Sequence, residues 1–161
     1  MTWNLLQEKT FADSNHAVCE IDLKSSNTLK NLMFLASGEL STGQQDYCKC
    51  LIRINGQSSG YNSFVIMAGN ASGGEWDSSG FYAGRNGWGT DAGFSIEYTI
   101  SVASLANKRV GYGMATFAQA DNRILGYTCN GFLVANDPVQ SVELVFTNGG
   151  VATFTTTIYT D

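Results

Sequence analysis

The sequence predicts an all-β protein, an antiparallel two-sheet β-sandwich with jelly-roll-like connectivity. Apolar and polar residues alternate with a period of two along most of the chain, and no segment carries the i, i+3, i+4, i+7 apolar spacing of an amphipathic helix over three turns. Eighteen glycines and a charged fraction of only 14% indicate a folded domain with many tight turns. Because no helices are available to connect parallel neighbours, the strands are expected to pair antiparallel.

About ten strands can be placed from this alternation and from the turn residues between them. In chain order they span residues 2–11, 16–24, 29–37, 47–54, 61–69, 93–102, 108–118, 123–135, 141–146 and 151–160. Internal glycines in 108–118 and 123–135 indicate bends, bulges or close backbone approach. The chain has 161 residues and no linker, so we expect one β-sandwich domain over residues 1–161.

The alternation also predicts which side chains are buried. It is most regular in 93–102, where Phe94, Ile96 and Tyr98 share one face and Glu97 lies on the other. We therefore expect the first three side chains to point into the sandwich and the carboxylate to face solvent.

The chain closes on a predicted hairpin in which Asn148, Gly149 and Gly150 separate strands 141–146 and 151–160. In a jelly roll, neighbouring strands of a sheet are far apart in sequence. The closing hairpin is therefore expected to pair with early strands and to lie inside the sandwich.

One long segment, residues 68–93, interrupts the strand pattern with eight glycines interleaved with aromatic residues. A loop of this length inside a compact domain is usually functional or partly mobile, although residues 79–84 could form a short strand that divides it. Exposed tryptophan and tyrosine side chains stack on sugar rings or anchor protein interfaces. Trp76, Tyr82 and Trp88 are therefore candidate ligand or interface contacts, and the competing interpretation is that they close the end of the sandwich core.

No constellation of catalytic or metal-binding residues stands out, and we expect neither a cofactor nor a metal. His16 is the single histidine, so a Ser-His-Asp or Cys-His arrangement would need it, and its turn-like context indicates an exposed structural residue. Zinc sites need three or four Cys or His ligands with paired spacing, whereas Cys48 and Cys50 form a single pair on one strand. A disulfide between these two is implausible because alternate residues of one strand are too far apart. We expect all four cysteines, Cys19, Cys48, Cys50 and Cys129, to be reduced.

Two acidic residues in the long segment leave one enzymatic hypothesis open. Glu75 and Asp77 form the kind of carboxylate pair with which glycosidases work. The competing interpretation is that both are solvated loop acids, and their separation and environment cannot be derived from the sequence.

Charge and hydropathy bear on the partners. The formal charge is −5 and the nine basic residues are scattered, which argues against binding of a nucleic-acid backbone. No window of eighteen apolar residues is present, so no membrane insertion is expected. The N-terminus has neither the basic start nor the apolar run of a secretion signal, which predicts synthesis in a cytoplasm.

Three stretches resemble small jelly-roll proteins of tailed bacteriophage particles. The last, "DPVQSVELVFTNGGVATFTTTIYTD", is similar to their usual ending of a strand, a glycine-containing turn and a strand that finishes on an aromatic residue. The opening "WNLLQEKTFADSNHAVCEIDL" and the middle "GFSIEYTISVASLANKRVGYGMATFA" extend the resemblance over most of the chain. The usual final glycine is replaced here by Thr160 and Asp161.

The resemblance implies a virion protein without enzymatic activity, commonly a homotrimer. The first hypothesis is a trimeric capsid decoration or cement protein on the outer surface of the particle, made in the host bacterial cytoplasm, with the major capsid protein as its partner. The threonine-rich strand 151–160 agrees with trimer formation, since one of its faces is β-forming and only mildly polar. The alternative is a tail-tip or fibre-head receptor-binding protein that contacts a host-surface glycan through Trp76, Tyr82 and Trp88.

Overall fold

The described part of the chain consists of β-strands and their connections. The computed structural model describes residues 2–21, 31–42, 46–103 and 106–161. Within these ranges the strands are β1 (Asn4–Ser14), β2 (His16–Glu20), β3 (Asn31–Ser41), β4 (Lys49–Ile54), β5 (Tyr61–Gly69), β6 (Gly73–Asp77), β7 (Phe81–Arg85), β8 (Ala92–Ser101), β9 (Lys108–Gln119), β10 (Ile124–Val134), β11 (Ser141–Phe146) and β12 (Val151–Thr160).

The strands form two antiparallel sheets, and the predicted fold class is confirmed. The larger sheet has the order β1-β12-β3-β8-β9-β10-β5-β6, and the smaller has the order β2-β11-β4-β7. The first four strands of the larger sheet and the four of the smaller sheet alternate early and late parts of the chain, which is the pattern of an eight-stranded jelly roll. The hairpins β5–β6 and β9–β10 are insertions that pair with each other and extend the larger sheet.

The closing hairpin lies inside the sandwich, as the sequence predicted. β12 lies between β1 and β3, and β11 lies between β2 and β4. Phe154 of β12 is opposite Phe11 on one side and Gly38 on the other. A Cβ at Gly38 would lie 2.2 Å from the carbonyl oxygen of Thr153, so only glycine allows this approach. The phenyl rings of Phe11 and Phe154 stack at 5.2 Å.

The core fills the space between the two sheets, and the predicted alternation of 93–102 is confirmed over most of the segment. Phe94, Ile96 and Tyr98 are buried, and Glu97 is exposed. Tyr98 packs across the sandwich against Phe81 of β7, with ring centroids 5.4 Å apart. These contacts bury the inner face of the larger sheet under the smaller one.

The glycines of β9 permit close packing, as their positions in the sequence indicated. A Cβ at Gly111 would lie 2.7 Å from Cε1 of Tyr98 and 3.0 Å from Cε1 of Phe81. The missing side chain therefore leaves the space that the two rings occupy.

The segment 68–93 contains more regular structure than the sequence indicated. The expected dividing strand is present as β7, but residues 73–77 also form a strand, β6, so the described residues hold twelve strands and not about ten. Its two glycines obscured β6, which exists because β5 offers it a free edge, with Trp76 opposite Phe64. Residues 22–24 and 29–30, the end of one predicted strand and the start of the next, lie outside the described residues.

All four cysteines are buried and unpaired, which confirms the prediction that they are reduced. Burial raises the pKa of each thiol, and that of Cys129 rises to about 12. No helix in the described part of the chain has the length and apolar character needed to cross a bilayer.

Candidate functional site

The structure separates the three aromatic residues that the sequence singled out. Trp76 on β6 is 65% exposed, and Trp88 in the β7–β8 loop is 39% exposed. Tyr82 on β7 has no exposed surface, so it cannot contact a ligand or partner at the protein surface. The alternation did not reveal this burial because both sides of β7 are covered, and all residues of Phe81–Gly84 are buried.

Tyr82 instead belongs to a polar network beneath β6. Its hydroxyl donates to Oε1 of Glu75 at 2.6 Å, and the guanidinium of Arg85 donates to both carboxylate oxygens of Glu75 at 2.9–3.1 Å. Burial acts to raise the pKa of Glu75, but the hydrogen bonds from Arg85 and Tyr82 outweigh it, and the pKa lies below its ordinary value. Burial and the adjacent Glu75 raise the pKa of Tyr82.

Asp77 is held in a similar way. Its carboxylate accepts from the ammonium of Lys49 at 3.0 Å and from the backbone and hydroxyl of Ser79 at 2.7 and 2.6 Å. Burial raises the pKa of Asp77, but the bonds from Ser79 and Lys49 lower it by more. Glu75 and Asp77 are therefore partnered anions that fasten β6 to β7 and β4, whereas a glycosidase acid needs a raised pKa.

A surface that the sequence analysis did not identify lies on the outer face of the larger sheet, the face turned away from the smaller sheet. Residues directly opposite each other on antiparallel strands project from the same face. The register places Trp76 opposite Phe64, Phe64 opposite Asn130, and Asn130 opposite Tyr112. The neighbouring rows add further apolar side chains on this face. We call the set the outer-face patch: Phe64, Ile66, Trp76, Val110, Tyr112, Met114 and Phe132.

The outer-face patch exposes large apolar side chains. Ile66, Val110, Tyr112 and Met114 are each more than half exposed. The rings of Phe64 and Trp76 lie 4.9 Å apart beside a depression of about 440 Å³. The signal for this surface was present in the sequence, since Val110, Tyr112 and Met114 alternate with glycines and a buried arginine, but the register was needed to bring the rows together.

A second candidate surface lies at the end of the sandwich. A cleft of about 410 Å³ is lined there by Asp46, Tyr47, Ala71, Arg85, Gly87, Trp88 and Leu125. We call it the Trp88 cleft. The guanidinium of Arg123 covers the Trp88 ring at 3.9 Å from its centroid, and that of Arg85 covers the Tyr47 ring at 4.7 Å. Each aromatic side chain that lines the cleft thus makes a cation–π contact with an arginine.

The β7–β8 loop that presents Trp88 is held by hydrogen bonds to buried side chains. Asn86 is fully buried, accepts from the backbone N–H of Cys48 at 2.7 Å, and donates to the carbonyl of Thr90 at 2.7 Å. The side-chain oxygen of Gln119, also buried, accepts from the N–H of Gly87 at 3.2 Å and from the hydroxyl of Thr90 at 3.0 Å. These hydrogen bonds tie the loop to Cys48 and to the end of β9.

The remaining sequence candidates make structural contacts. Nε2 of His16 lies 3.0 Å from Oε2 of Glu143, which joins β2 to β11 on the surface of the smaller sheet. Within residues 2–21, 31–42, 46–103 and 106–161, no three His, Cys, Asp or Glu side chains converge in a way that could hold a metal ion.

Comparisons with known proteins give low similarity throughout. No protein-family model matches the chain, and no curated protein matches it. A candidate DNA-binding protein from Bacteroides thetaiotaomicron is 9% identical with a TM-score of 0.28, over 91% of this chain and 83% of that protein. The structure of HCR/D-Sa-GBL1/C is 8% identical with a TM-score of 0.32, over 90% of this chain and 36% of that one. An exo-inulinase from Aspergillus awamori is 6% identical with a TM-score of 0.25, over 99% of this chain and 29% of the enzyme. At these TM-scores none of the three supports an argument about this chain.

Proposed function

We propose that this chain is a non-catalytic structural protein of a tailed-bacteriophage particle, a homotrimer that decorates the outside of the head and cements capsid subunits. The observation that carries the proposal is the outer-face patch on a jelly-roll scaffold. Exposed apolar patches of this kind on soluble proteins mark interaction sites. The resemblance of the sequence to jelly-roll virion proteins supplies the biological setting.

A second copy of this chain is the occupant that the charges favour for the outer face. Each chain carries a formal charge of −5, so copies repel one another unless they meet where carboxylates are few. Across β8, β9, β10, β5 and β6, Glu97 is the one acidic side chain in the cross-strand rows that contain Tyr112 and Met114. Thr153, Thr155 and Thr157 of β12 lie on the same outer face and add a mildly polar region to it.

The mechanism would be mechanical. A trimer presents three copies of each contact to a repetitive shell, so weak individual contacts combine into durable attachment. The added interfaces between neighbouring capsid subunits would then resist the outward pressure of packaged DNA. The partnered state of Glu75 and Asp77 supports a non-catalytic role and gives neither carboxylate a chemical task.

Sedimentation velocity with two matched variants tests the assembly step. Met114→Glu places a carboxylate in the outer-face patch, and Thr116→Glu places the same charge two residues further along β9, outside the patch. We expect wild type and Thr116→Glu to sediment as trimers and Met114→Glu to sediment as a monomer with an unchanged β-type circular dichroism spectrum. A wild-type protein that is monomeric at about 100 μM, a concentration at which micromolar interfaces are saturated, would overturn the trimer.

Capsid binding is tested separately. Heads assembled without the protein should lose their DNA at a lower temperature than complete heads, and added protein should co-sediment with them and restore the difference. Heads that are equally stable with and without the protein would overturn the cementing role even if the trimer forms.

A receptor-binding protein at the tail tip is the second candidate. It is favoured by one observation, the rigid presentation of Trp88 at the end of the sandwich, where the loop after β7 meets the β5–β6 and β9–β10 turns.

A further inference from the structure

Trp88 is presented in a backbone conformation that costs energy. Its φ is +56°, in the left-handed region that bulky side chains rarely adopt. Such strain persists only where surrounding contacts over-determine the conformation, and it concentrates at functional sites. The bonds of Asn86 and Gln119 provide that over-determination. The fold therefore maintains a strained loop whose outward-facing side chain is a half-exposed indole.

The aromatic walls of the Trp88 cleft are ordered before any ligand arrives. The guanidinium of Arg123 lies over the indole and is itself held by the carboxylate of Asp121. On the other wall, Arg85 lies over the ring of Tyr47 and is held by Glu75. Aromatic side chains that are already held in place lose little conformational entropy when a ligand binds. A ligand that makes only a few contacts can therefore bind to them measurably.

We propose that the Trp88 cleft is a carbohydrate-binding site that takes one or two pyranose units. The polarised C–H bonds on the face of a sugar ring complement the negative face of an aromatic ring. Arg123 and Arg85 lie over the rings of Trp88 and Tyr47, but each of these two aromatic residues remains 39% exposed and leaves surface on which a sugar can stack. The exposed carboxylate of Asp46, which lines the same cleft, can accept hydrogen bonds from sugar hydroxyls. A volume of about 410 Å³ lies within the range of small-molecule sites.

The charges around the cleft argue against other ligands that stack on aromatic rings. Nucleic-acid bases stack in this way, but their backbone needs basic side chains to neutralise it, and both arginines beside the cleft are already paired with carboxylates, Arg85 with Glu75 and Arg123 with Asp121. Quaternary ammonium groups also bind aromatic cages, but the arginine cations beside both rings would repel a second cation. A neutral sugar avoids both conflicts.

The experiment titrates ¹⁵N-labelled protein with methyl pyranosides of glucose, galactose, mannose and N-acetylglucosamine up to about 10 mM, which covers millimolar affinities. The chain has three tryptophans, so three indole N–H signals are expected, assigned by single Trp→Phe variants. We expect at least one sugar to shift the Trp88 signal and to leave that of Trp76 in place. If no sugar shifts the Trp88 signal, or if every sugar shifts both signals equally, the proposal is overturned.

Variants then locate the contacts. Trp88→Ala and Asp46→Asn are each expected to weaken binding by at least about tenfold, as is typical for residues that anchor a ligand. Asp46 is exposed, so its variant stays informative if Trp88→Ala does not fold. Trp3→Ala is the control, a half-buried tryptophan that does not line the cleft, and it should bind within about twofold of wild type. Full binding by Asp46→Asn together with loss in Trp3→Ala would overturn the assignment. The variants of the trimer test lie on β9, and no residue of β9 lines the Trp88 cleft. Absence of a trimer and absence of sugar binding are therefore separate outcomes.

Discussion

Removal of the Asn86 side chain should destabilise the fold by a magnitude that follows from its two hydrogen bonds. In Asn86→Ala the buried N–H of Cys48 loses its acceptor, and an unsatisfied buried donor costs about 1–3 kcal/mol. Thr90 is a half-buried residue, so its carbonyl can bind water instead and losing its donor costs only about 1 kcal/mol. We therefore expect the free energy of unfolding to fall by about 2–4 kcal/mol.

Urea titration followed by circular dichroism measures this difference, with thermal unfolding as a second readout. For a domain of this size, about 2–4 kcal/mol corresponds to a decrease in Tm of roughly 5–15 °C. Variants and wild type must be compared at one protein concentration, because an assembling protein has a concentration-dependent Tm. Asn4→Ala, at an exposed position on β1 outside the outer-face patch, is the control and should change stability by less than about 0.5 kcal/mol. A loss in Asn86→Ala no larger than in this control would refute the view that Asn86 holds the β7–β8 loop.

Three other predictions concern charge and burial. The fold lowers the pKa values of Glu75 and Asp77, so these carboxylates stabilise the protein fully at a pH above their pKa values in the unfolded chain. This stabilisation is lost as the pH falls through their lower pKa values in the folded protein. Urea titrations below pH 4.5 should therefore show a falling free energy of unfolding, and the fall should be smaller in Glu75→Gln. Arg109 is buried and donates to the carbonyls of Val102 and Asp137, so Arg109→Ala should lower the free energy of unfolding by about 3 kcal/mol in the same titration, and a change below about 1 kcal/mol would contradict this assignment. The four buried thiols should not react with a thiol reagent at pH 8 until denaturant is added, and rapid labelling of the native protein would contradict their burial.

The fold class could be predicted from the sequence because the two faces of a strand are recorded in alternate residues. Phe94, Ile96 and Tyr98 are buried where the alternation placed them. The interior position of the closing hairpin also followed, since a jelly roll pairs the ends of the chain. The strand β6 could not be predicted, because its pairing depends on the free edge of β5 and not on its own glycine-rich residues.

The candidate sites divide in the same way. The sequence by itself determined that Trp76, Tyr82 and Trp88 lie in an unusual aromatic segment, but it did not determine their exposure. Burial depends on what covers a residue from other parts of the chain, and β7 is covered on both sides, so Tyr82 became a core residue.

The strand alternation, and with it the sandwich, was determined by local sequence, because each strand records its own inner and outer faces. Only the tertiary structure decided which rows adjoin across strands and which loops meet at one end. The register of β5, β6, β9 and β10 brings Trp76 and Tyr112 onto one uncovered face. The convergence of distant turns brings Tyr47 to Trp88. Such neighbours are far apart in the sequence. The interactions that select them act between strands, so they produce no periodic pattern of residues within either strand.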